Sequence, residues 1–135
     1  MELDENQSIR LCLSPLLIYA LLSEIPLHTG PRGEWQLLRA LEEGLQGDDP
    51  LSLTLVDGLK SNLHKFFAYF CQHYAQATAD ELLAALANVR RTLDELAAKG
   101  CDPAGCRRTL VRFTEVLAVQ TKEQGHSTAV RQLLA

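Results

Sequence analysis

The amino-acid sequence predicts an all-α protein, an antiparallel helical bundle of about five to six helices, three of them long. Helix-forming side chains dominate its composition, with 26 Leu and 15 Ala against 6 Val and 3 Ile. Apolar residues recur at three- and four-residue intervals, and the stretches between these patterned segments are short, which favours antiparallel neighbours. A length of 135 residues is typical of one domain, and no repeat or linker divides residues 1–135.

The first clear helix is expected to begin at Ser14 and Pro15 and to run to about Glu24. Serine is a favoured N-cap, and proline at the first helical position gives up no hydrogen bond. Residues 2–12 stay undecided, because apolar residues in this region alternate as they would in a β-strand. The alternating residues are Ile9, Leu11 and Leu13.

A second helix is predicted over residues 34–45, after a turn-rich connection over residues 26–33. Its apolar stripe comprises Trp35, Leu38, Leu41 and Leu45. Asp49 is the expected N-cap of a third helix over residues 50–75, which begins with a proline. The stripe of this third helix has heptad spacing and comprises Val56, Leu59, Leu63, Phe66 and Phe70.

The fourth helix has a clear signal at each end. Thr78 and Glu81 have the spacing of a capping box, in which each side chain bonds the backbone N–H of the other residue. Gly100 can adopt the left-handed conformation that commonly ends a helix. The apolar stripe between these signals comprises Leu82, Leu86, Val89, Leu93 and Leu96.

A fifth helix is predicted to open at Asp102 and Pro103, as N-cap and first helical residue, and to end at Gly125. Its stripe comprises Cys106, Leu110, Phe113 and Leu117. A short sixth helix is expected over residues 127–134.

Cys101 and Cys106 are the only closely spaced cysteines, and they raise three alternatives: a disulfide, half of a zinc site, or a hydrophobic staple. With Asp102 as N-cap, the two cysteines occupy the staple positions, where cysteine behaves as a small hydrophobic residue. No second cysteine or histidine pair of metal-like spacing occurs in the sequence. The staple is therefore favoured, and the sequence predicts no metal and no cofactor.

The aromatic run of residues 66–70, together with Tyr74, supplies a candidate interaction surface. Consecutive residues point in every direction around a helix, so some of these rings must face away from a single core stripe. Phe67, Tyr69 and Tyr74 are the candidates for contact with another protein chain. The alternative is that these rings line a small-ligand pocket between helices of the bundle.

Five arginines of the fourth and fifth helices form a candidate nucleic-acid-binding patch, namely Arg90, Arg91, Arg107, Arg108 and Arg112. Asp94 and Glu95 argue against it, because each lies one helical turn beyond an arginine and is expected to pair with it. The net charge of −4 and the lack of a nucleic-acid-binding motif argue the same way. Nucleic-acid binding is therefore the less favoured alternative.

No membrane association is predicted from the sequence. The longest nearly apolar run, residues 11–22, is shorter than the roughly 20 residues that a membrane-spanning helix needs. The acidic N-terminus is unlike a secretory signal, and the scattered cysteines suit a reducing compartment. A cytoplasmic location is therefore expected.

No catalytic motif is recognisable, so the sequence favours a non-enzymatic protein. We predict a protein-interaction module, such as an adaptor, a chaperone or a regulatory subunit. Residues 1–59 carry 3 basic and 10 acidic side chains, a balance that suits docking on a basic partner. The surplus of apolar residues on the first and third helices favours self-association as a homodimer.

Overall fold

The computed structural model describes residues 3–23, 31–74, 76–122 and 125–135. Within these ranges the regular structure is entirely helical, which confirms the all-α prediction and the helical bundle. Seven helices are present there instead of the predicted five to six: α1 (Glu5–Leu22), α2 (Pro31–Gly44), α3 (Pro50–Ser61), α4 (Leu63–Tyr74), α5 (Ala79–Ala98), α6 (Ala104–Thr121) and α7 (Gly125–Leu134).

Helix α1 occupies the centre of the bundle. It contacts each of the other six helices, most extensively α5 and α6. Over residues 11–22 apolar side chains lie on nearly every side of this helix, so exposing any face of that segment to water would cost free energy. Its most deeply buried residues include Leu11, Leu16, Ile18 and Leu22. The chain itself therefore covers the apolar surface of α1.

Helices α5 and α6 follow each other in the chain but do not pack closely together. Both pack against α1 and against α7 instead. A salt bridge nevertheless joins them, because Arg107 Nη2 lies 2.6 Å from Asp94 Oδ1. The short connection between α5 and α6 led us to expect a closely packed antiparallel pair. The two helices instead contact the same partners, α1 and α7.

Helix α1 begins earlier than the sequence predicts. Asp4 is its N-cap, since Asp4 Oδ1 accepts a hydrogen bond from the Gln7 N–H at 2.7 Å. Gln7 Oε1 accepts in return from the Asp4 N–H at 3.2 Å, which completes a capping box. The helix therefore starts at Glu5, and the start predicted at Ser14 and Pro15 is wrong.

Pro15 lies inside α1, where it lacks the N–H that would bond to the Leu11 carbonyl one turn earlier. The Ser14 hydroxyl donates a hydrogen bond to that same carbonyl at 2.6 Å. Ser14 is 0% exposed, so water cannot supply the missing hydrogen bond. A Ser-Pro pair is typical of a helix start. Here it lies in the middle of a buried helix, and the serine hydroxyl supplies the hydrogen bond that the Leu11 carbonyl would otherwise lack.

Helix α1 ends at Leu22, close to its predicted end, and residues 24–30 lie outside the described part of the chain.

Trp35 of α2, predicted on the buried stripe, is 57% exposed. Its ring instead lies 5.1 Å from the guanidinium carbon of Arg39, an exposed cation–π contact. The residues that α2 buries are Leu37, Ala40 and Leu41, with Leu45 following its end.

The predicted third helix is divided at Asn62 into α3 and α4. A continuous helix would bond the Asn62 N–H to the Gly58 carbonyl. Instead the Asn62 side-chain amide donates to that carbonyl at 3.3 Å, and the Asn62 N–H donates to the Leu59 carbonyl at 3.3 Å. Asparagine side chains compete with the backbone in this way. The single helix predicted over residues 50–75 is therefore wrong, although residue 75 itself lies outside the described residues.

Helices α3 and α4 bury a stripe that differs in part from the predicted one. Val56 and Phe66 of the predicted heptad stripe are only half-buried, so that prediction is partly correct. The buried apolar residues of the two helices are Leu51, Leu55, Leu59, Leu63, Phe67 and Phe70. Leu55 and Phe67 take the places predicted for Val56 and Phe66, because a spacing of four residues keeps to one helix face as well as a spacing of three does.

Helix α5 matches its predicted start, end and apolar stripe. Thr78 Oγ1 accepts from the Glu81 N–H at 3.2 Å, and Glu81 Oε1 accepts from the Thr78 N–H at 3.2 Å. Gly100 follows the helix with a φ of 88°, in the left-handed region. All five residues of the predicted stripe are buried: Leu82, Leu86, Val89, Leu93 and Leu96.

Helix α6 starts one residue later than predicted, at Ala104, and Asp102 Oδ1 accepts from the Ala104 N–H at 3.0 Å. Its predicted stripe is buried and comprises Cys106, Leu110, Phe113 and Leu117. Lys122 follows the helix with a left-handed φ of 58°. The end predicted at Gly125 is therefore wrong, because Gly125 begins α7, which matches the predicted sixth helix.

The connection between α2 and α3 lies directly on α6 through two close backbone approaches. A Cβ atom on Gly47 would overlap Thr109 Oγ1, and one on Gly105 would overlap the carboxyl group of Asp49. A buried hydrogen bond of 2.8 Å joins Ser52 Oγ to Thr109 Oγ1 across the same contact. Any side chain larger than hydrogen at either glycine would push the connection away from α6.

The Ser14–Pro15 interaction can be tested with a double-mutant cycle. Ser14→Ala should lower the free energy of unfolding by about 1–3 kcal/mol, because it leaves the buried Leu11 carbonyl without its donor. In a Pro15→Ala background the same change should cost less, since an N–H at position 15 can bond to that carbonyl. Urea denaturation measures both costs. Equal costs in the two backgrounds would contradict this account.

Two helical glycines should respond oppositely to alanine. Gly105→Ala should destabilise the protein by about 1–3 kcal/mol, because the new methyl group would collide with Asp49. Gly58→Ala should stabilise it by about 0.5–1 kcal/mol, since its Cβ would meet only Cys12 Sγ at 3.4 Å. Thermal unfolding compares the two. A similar gain from both would show that α6 does not hold the α2–α3 connection tightly.

Candidate functional site

The three predicted interaction residues differ widely in exposure. Phe67 is 4% exposed and belongs to the core, so its predicted place on an exposed surface is wrong. Tyr69 is 42% exposed, and Tyr74 is half-buried. The physical reason is helical spacing, because Phe67 lies four residues after the buried Leu63 and three before the buried Phe70, whereas Tyr69 lies on a different face of α4.

Tyr69 and Tyr74 line the same groove, which we call the tyrosine groove. It lies between α4 and α5, both of which pack against α1, and it encloses about 220 Å³. Its lining comes from α1, α4 and α5 and comprises Asn6, Ile9, Arg10, Leu13, Leu17, Tyr69, Tyr74, Ala85, Asn88 and Val89. The structure thus brings together two of the three predicted residues and adds α1 and α5 to them.

The tyrosine groove has an apolar bottom and a polar rim. Leu13, Leu17 and Val89 form the bottom and are 5%, 2% and 1% exposed. Ile9 and Ala85 are half-buried on its walls. Exposed polar side chains form the rim, namely Asn6, Arg10, Tyr69 and Asn88. Binding sites commonly combine an apolar interior with a few polar groups that fix the orientation of the ligand.

Half of the groove lining belongs to one face of α1, because these residues follow each other at helical spacing. They are Asn6, Ile9, Arg10, Leu13 and Leu17. The alternating apolar residues near position 11 obscure this face in the sequence. The available signal is Asp4 followed three residues later by Gln7, the spacing of a capping box, which would have assigned the segment to a helix.

Ring contacts restrict both tyrosines of the groove. The Tyr69 ring lies 4.2 Å from the His73 ring, and the Tyr74 ring lies 5.5 Å from the buried Phe70 ring, centroid to centroid. No hydrogen bond joins either phenol hydroxyl to another residue in the described ranges. The rings are therefore pre-positioned, which lowers the entropic cost of binding, while their hydroxyls remain available to a ligand.

Arg10 reaches across the rim from α1 to α5. Its Nη1 donates to Thr92 Oγ1 at 3.4 Å, and Thr92 Oγ1 donates to the Asn88 carbonyl at 3.1 Å. Thr92 is 0% exposed, so the threonine hydroxyl is a fixed acceptor and not a mobile surface group. The guanidinium group is thereby held at the mouth of the groove.

Two larger clefts lie along α6, and both open broadly to solvent. One encloses about 740 Å³ beside the α2–α3 connection, and the other encloses about 720 Å³ between α6 and α7. Charged side chains of both signs line them: Asp48, Asp49, Arg108, Arg112 and Glu115 in the first, and Glu115, Lys122 and Arg131 in the second. Neither cleft has a buried apolar bottom, so the tyrosine groove is the better candidate site.

The arginines of the predicted nucleic-acid patch are partly engaged within the protein. Arg107 pairs with Asp94 of α5, and its side chain is only 17% exposed. Arg91 donates to the side-chain oxygen of Asn88. Neither ion pair expected within α5, which is described throughout, is formed. Arg108 and Arg112 share their cleft with three carboxylates, an arrangement that would repel a phosphate backbone.

The four cysteines are free thiols, and the described residues contain no group of three or more side chains that could hold a metal ion. Burial raises the pKa of the Cys106 thiol to about 12, and the nearby Asp49 carboxylate contributes to this rise. Burial also raises the pKa of Cys12 to about 11. Cys101 is half-buried and packs against the core. Both cysteines thus contact the hydrophobic core, but the N-cap of α6 is Pro103 and not the predicted Asp102, so Cys101 and Cys106 do not occupy the two staple positions.

None of the helices in the described ranges is long and apolar enough to cross a membrane. Comparison of the chain with protein-family models, with curated proteins and with solved structures gave no significant match. The function must therefore be inferred from the side chains of the tyrosine groove and from their surroundings.

Thiol labelling should separate the buried cysteines from the half-buried ones. The pKa values of Cys12 and Cys106 are about 11 and about 12, so at about pH 8 only about one in a thousand Cys12 thiols is ionised, and fewer of Cys106. The thiolate is the form that reacts with alkylating reagents. Brief treatment of the folded protein with iodoacetamide should therefore modify Cys71 and Cys101 first. Mass spectrometry after unfolding should show all four modified. Equal rates at Cys101 and Cys106 would contradict this order.

Proposed function

We propose that this protein is a non-enzymatic protein-interaction module that binds an apolar side chain of a partner protein in the tyrosine groove. The observation that carries the proposal is a bottom of buried apolar residues, Leu13, Leu17 and Val89, beneath an exposed polar rim. Protein interfaces commonly use this arrangement, in which an apolar anchor fills a pocket and a polar ring excludes water around it.

The size of the groove favours a side chain over a small molecule. Pockets for small molecules and cofactors usually enclose roughly 300–1,000 Å³. The tyrosine groove encloses about 220 Å³, which suits one or two apolar side chains presented by a partner helix. The small-ligand alternative predicted for this aromatic region is therefore the less favoured one.

The composition of the lining supports a binding role in preference to catalysis. Cysteine, serine, threonine, lysine, histidine, aspartate and glutamate are absent from the residues that line the groove. These types supply most nucleophiles and most general acids and bases of enzymes. Tyr69 and Tyr74 are instead of a residue type that often dominates the binding energy of protein interfaces.

The proposed occupant is a segment of a different protein, not a second copy of this chain. Two apolar surfaces motivated the homodimer. The chain covers the one on α1 with its other helices, but the one on α3 and α4 only in part, since Phe67 is buried while Leu53 and Tyr69 are exposed. Self-association therefore stays a prediction, which the mass of the protein in solution would test.

A cytoplasmic location remains part of the proposal and is supported by the free thiols.

A displayed library of randomised peptides provides a direct test of the proposal. Peptides selected on the full chain should lose affinity about tenfold or more on Tyr69→Ser, because tyrosines at such rims are frequent hot spots. Tyr69 is 42% exposed, so the substitution should leave the fold intact, which circular dichroism would check. Isothermal titration calorimetry measures the affinities.

Leu53→Ser is the matched control. Leu53 is 47% exposed on α3 and does not line the groove, so the affinities of the selected peptides should not change. If the peptides bound equally well to the Tyr69→Ser variant, or responded to Leu53→Ser instead, the proposed site would be wrong.

A further inference from the structure

We infer that the tyrosine groove selects a partner segment that carries a carboxylate beside its apolar anchor, and that Arg10 recognises this carboxylate. The inference rests on the proposed function and specifies the chemistry of the partner. The expected partner is an acidic amphipathic segment, in which an aspartate or glutamate lies next to a leucine-like or aromatic side chain.

Arg10 is the only charged side chain among the residues that line the groove. The groove is therefore locally basic, although the whole chain has a net charge of −4. Exposed charges beyond about 8 Å are largely screened at physiological ionic strength. Among the residues that line the groove, a ligand group at the rim can therefore pair directly only with Arg10.

Arg10 forms no ion pair with a carboxylate in the described part of the chain. Other arginines do, since Arg39 lies 3.5 Å from Glu43 and Arg107 lies 2.6 Å from Asp94. The hydrogen bond from Arg10 to the Thr92 hydroxyl is long, at 3.4 Å, and its acceptor is neutral. Most of the five guanidinium donors therefore remain available for a carboxylate of the partner.

The position of Arg10 determines where that carboxylate must lie relative to the anchor. Arg10 and Leu13 lie on the same face of α1, about one helical turn or ~5 Å apart along its axis. Leu13 is part of the apolar bottom, so an anchor there and a carboxylate at Arg10 are about one turn apart. Residues three or four apart on a partner helix have this separation.

Two probes of equal shape test the inference without knowledge of the partner. The probes are 3-phenylpropionate and its neutral amide, 3-phenylpropanamide, each titrated into the isotopically labelled full chain and followed by NMR. Both should shift the backbone signals of the groove residues. The carboxylate should bind about three- to fivefold more tightly than the amide, because ion pairs at exposed sites have modest strength.

Arg10→Gln should abolish this preference, and Arg90→Gln is its matched control. Arg90 is exposed on α5 and does not line the groove, so its substitution changes the net charge equally and should preserve the preference. Equal affinities of the two probes for the unaltered chain would overturn the inference. So would a preference that survives Arg10→Gln, or a failure of both probes to shift the groove signals.

The peptide selection keeps this result separate from the proposed function. Selected peptides should be enriched in aspartate or glutamate three or four residues from their apolar anchor. Peptides that depend on Tyr69 but show no such enrichment would overturn the role of Arg10 and leave the proposed function intact. Peptides that do not depend on Tyr69 would overturn the proposed function itself.

Discussion

A helical segment that is apolar on nearly every side must be covered from several directions, and residues 11–22 of α1 form such a segment. The other six helices cover it, so each of them is positioned by contact with the same central element. Burial of this kind requires that every backbone polar group inside be satisfied. Pro15 removes one N–H from the middle of α1, and the buried Ser14 hydroxyl bonds the Leu11 carbonyl that is left. The central helix therefore depends on the hydrogen bond that Ser14 donates to the Leu11 carbonyl.

The tyrosine groove is a consequence of the same central position. Helices α4 and α5 both pack against α1, and the apolar side chains of α1 that lie between them form the bottom of the groove. Leu13 and Leu17 therefore contribute both to the core and to the candidate site. Tyr69 comes from α4 and Asn88 from α5, so the groove exists only when all three helices have assembled. Loss of any one of these packing contacts would remove the site without altering its side chains.

Sequence patterns that span only a few residues predicted helix ends and buried faces most reliably. The capping box of Thr78 and Glu81, the stripe of α5 and the left-handed Gly100 each depend on neighbours within about two helical turns, and all are present in the structure. The Ser14–Pro15 signal failed because a proline that suits a helix start can also lie inside a helix. The burial of Ser14 and the capping box that Asp4 and Gln7 form upstream decide between these alternatives.

The sequence by itself determined the all-α class, most helix positions and the buried faces of α5 and α6, since helical periodicity records which side of a segment is apolar. The tertiary structure alone decided that Phe67 is buried while Tyr69 is exposed, because both are aromatic and only the packing of α4 against α1, α2 and α3 determines which of its faces is covered. It alone also placed Arg10 beside Tyr69. These residues are far apart in the chain, and only the packing of two helices against each other, which no local pattern encodes, brings them to one groove.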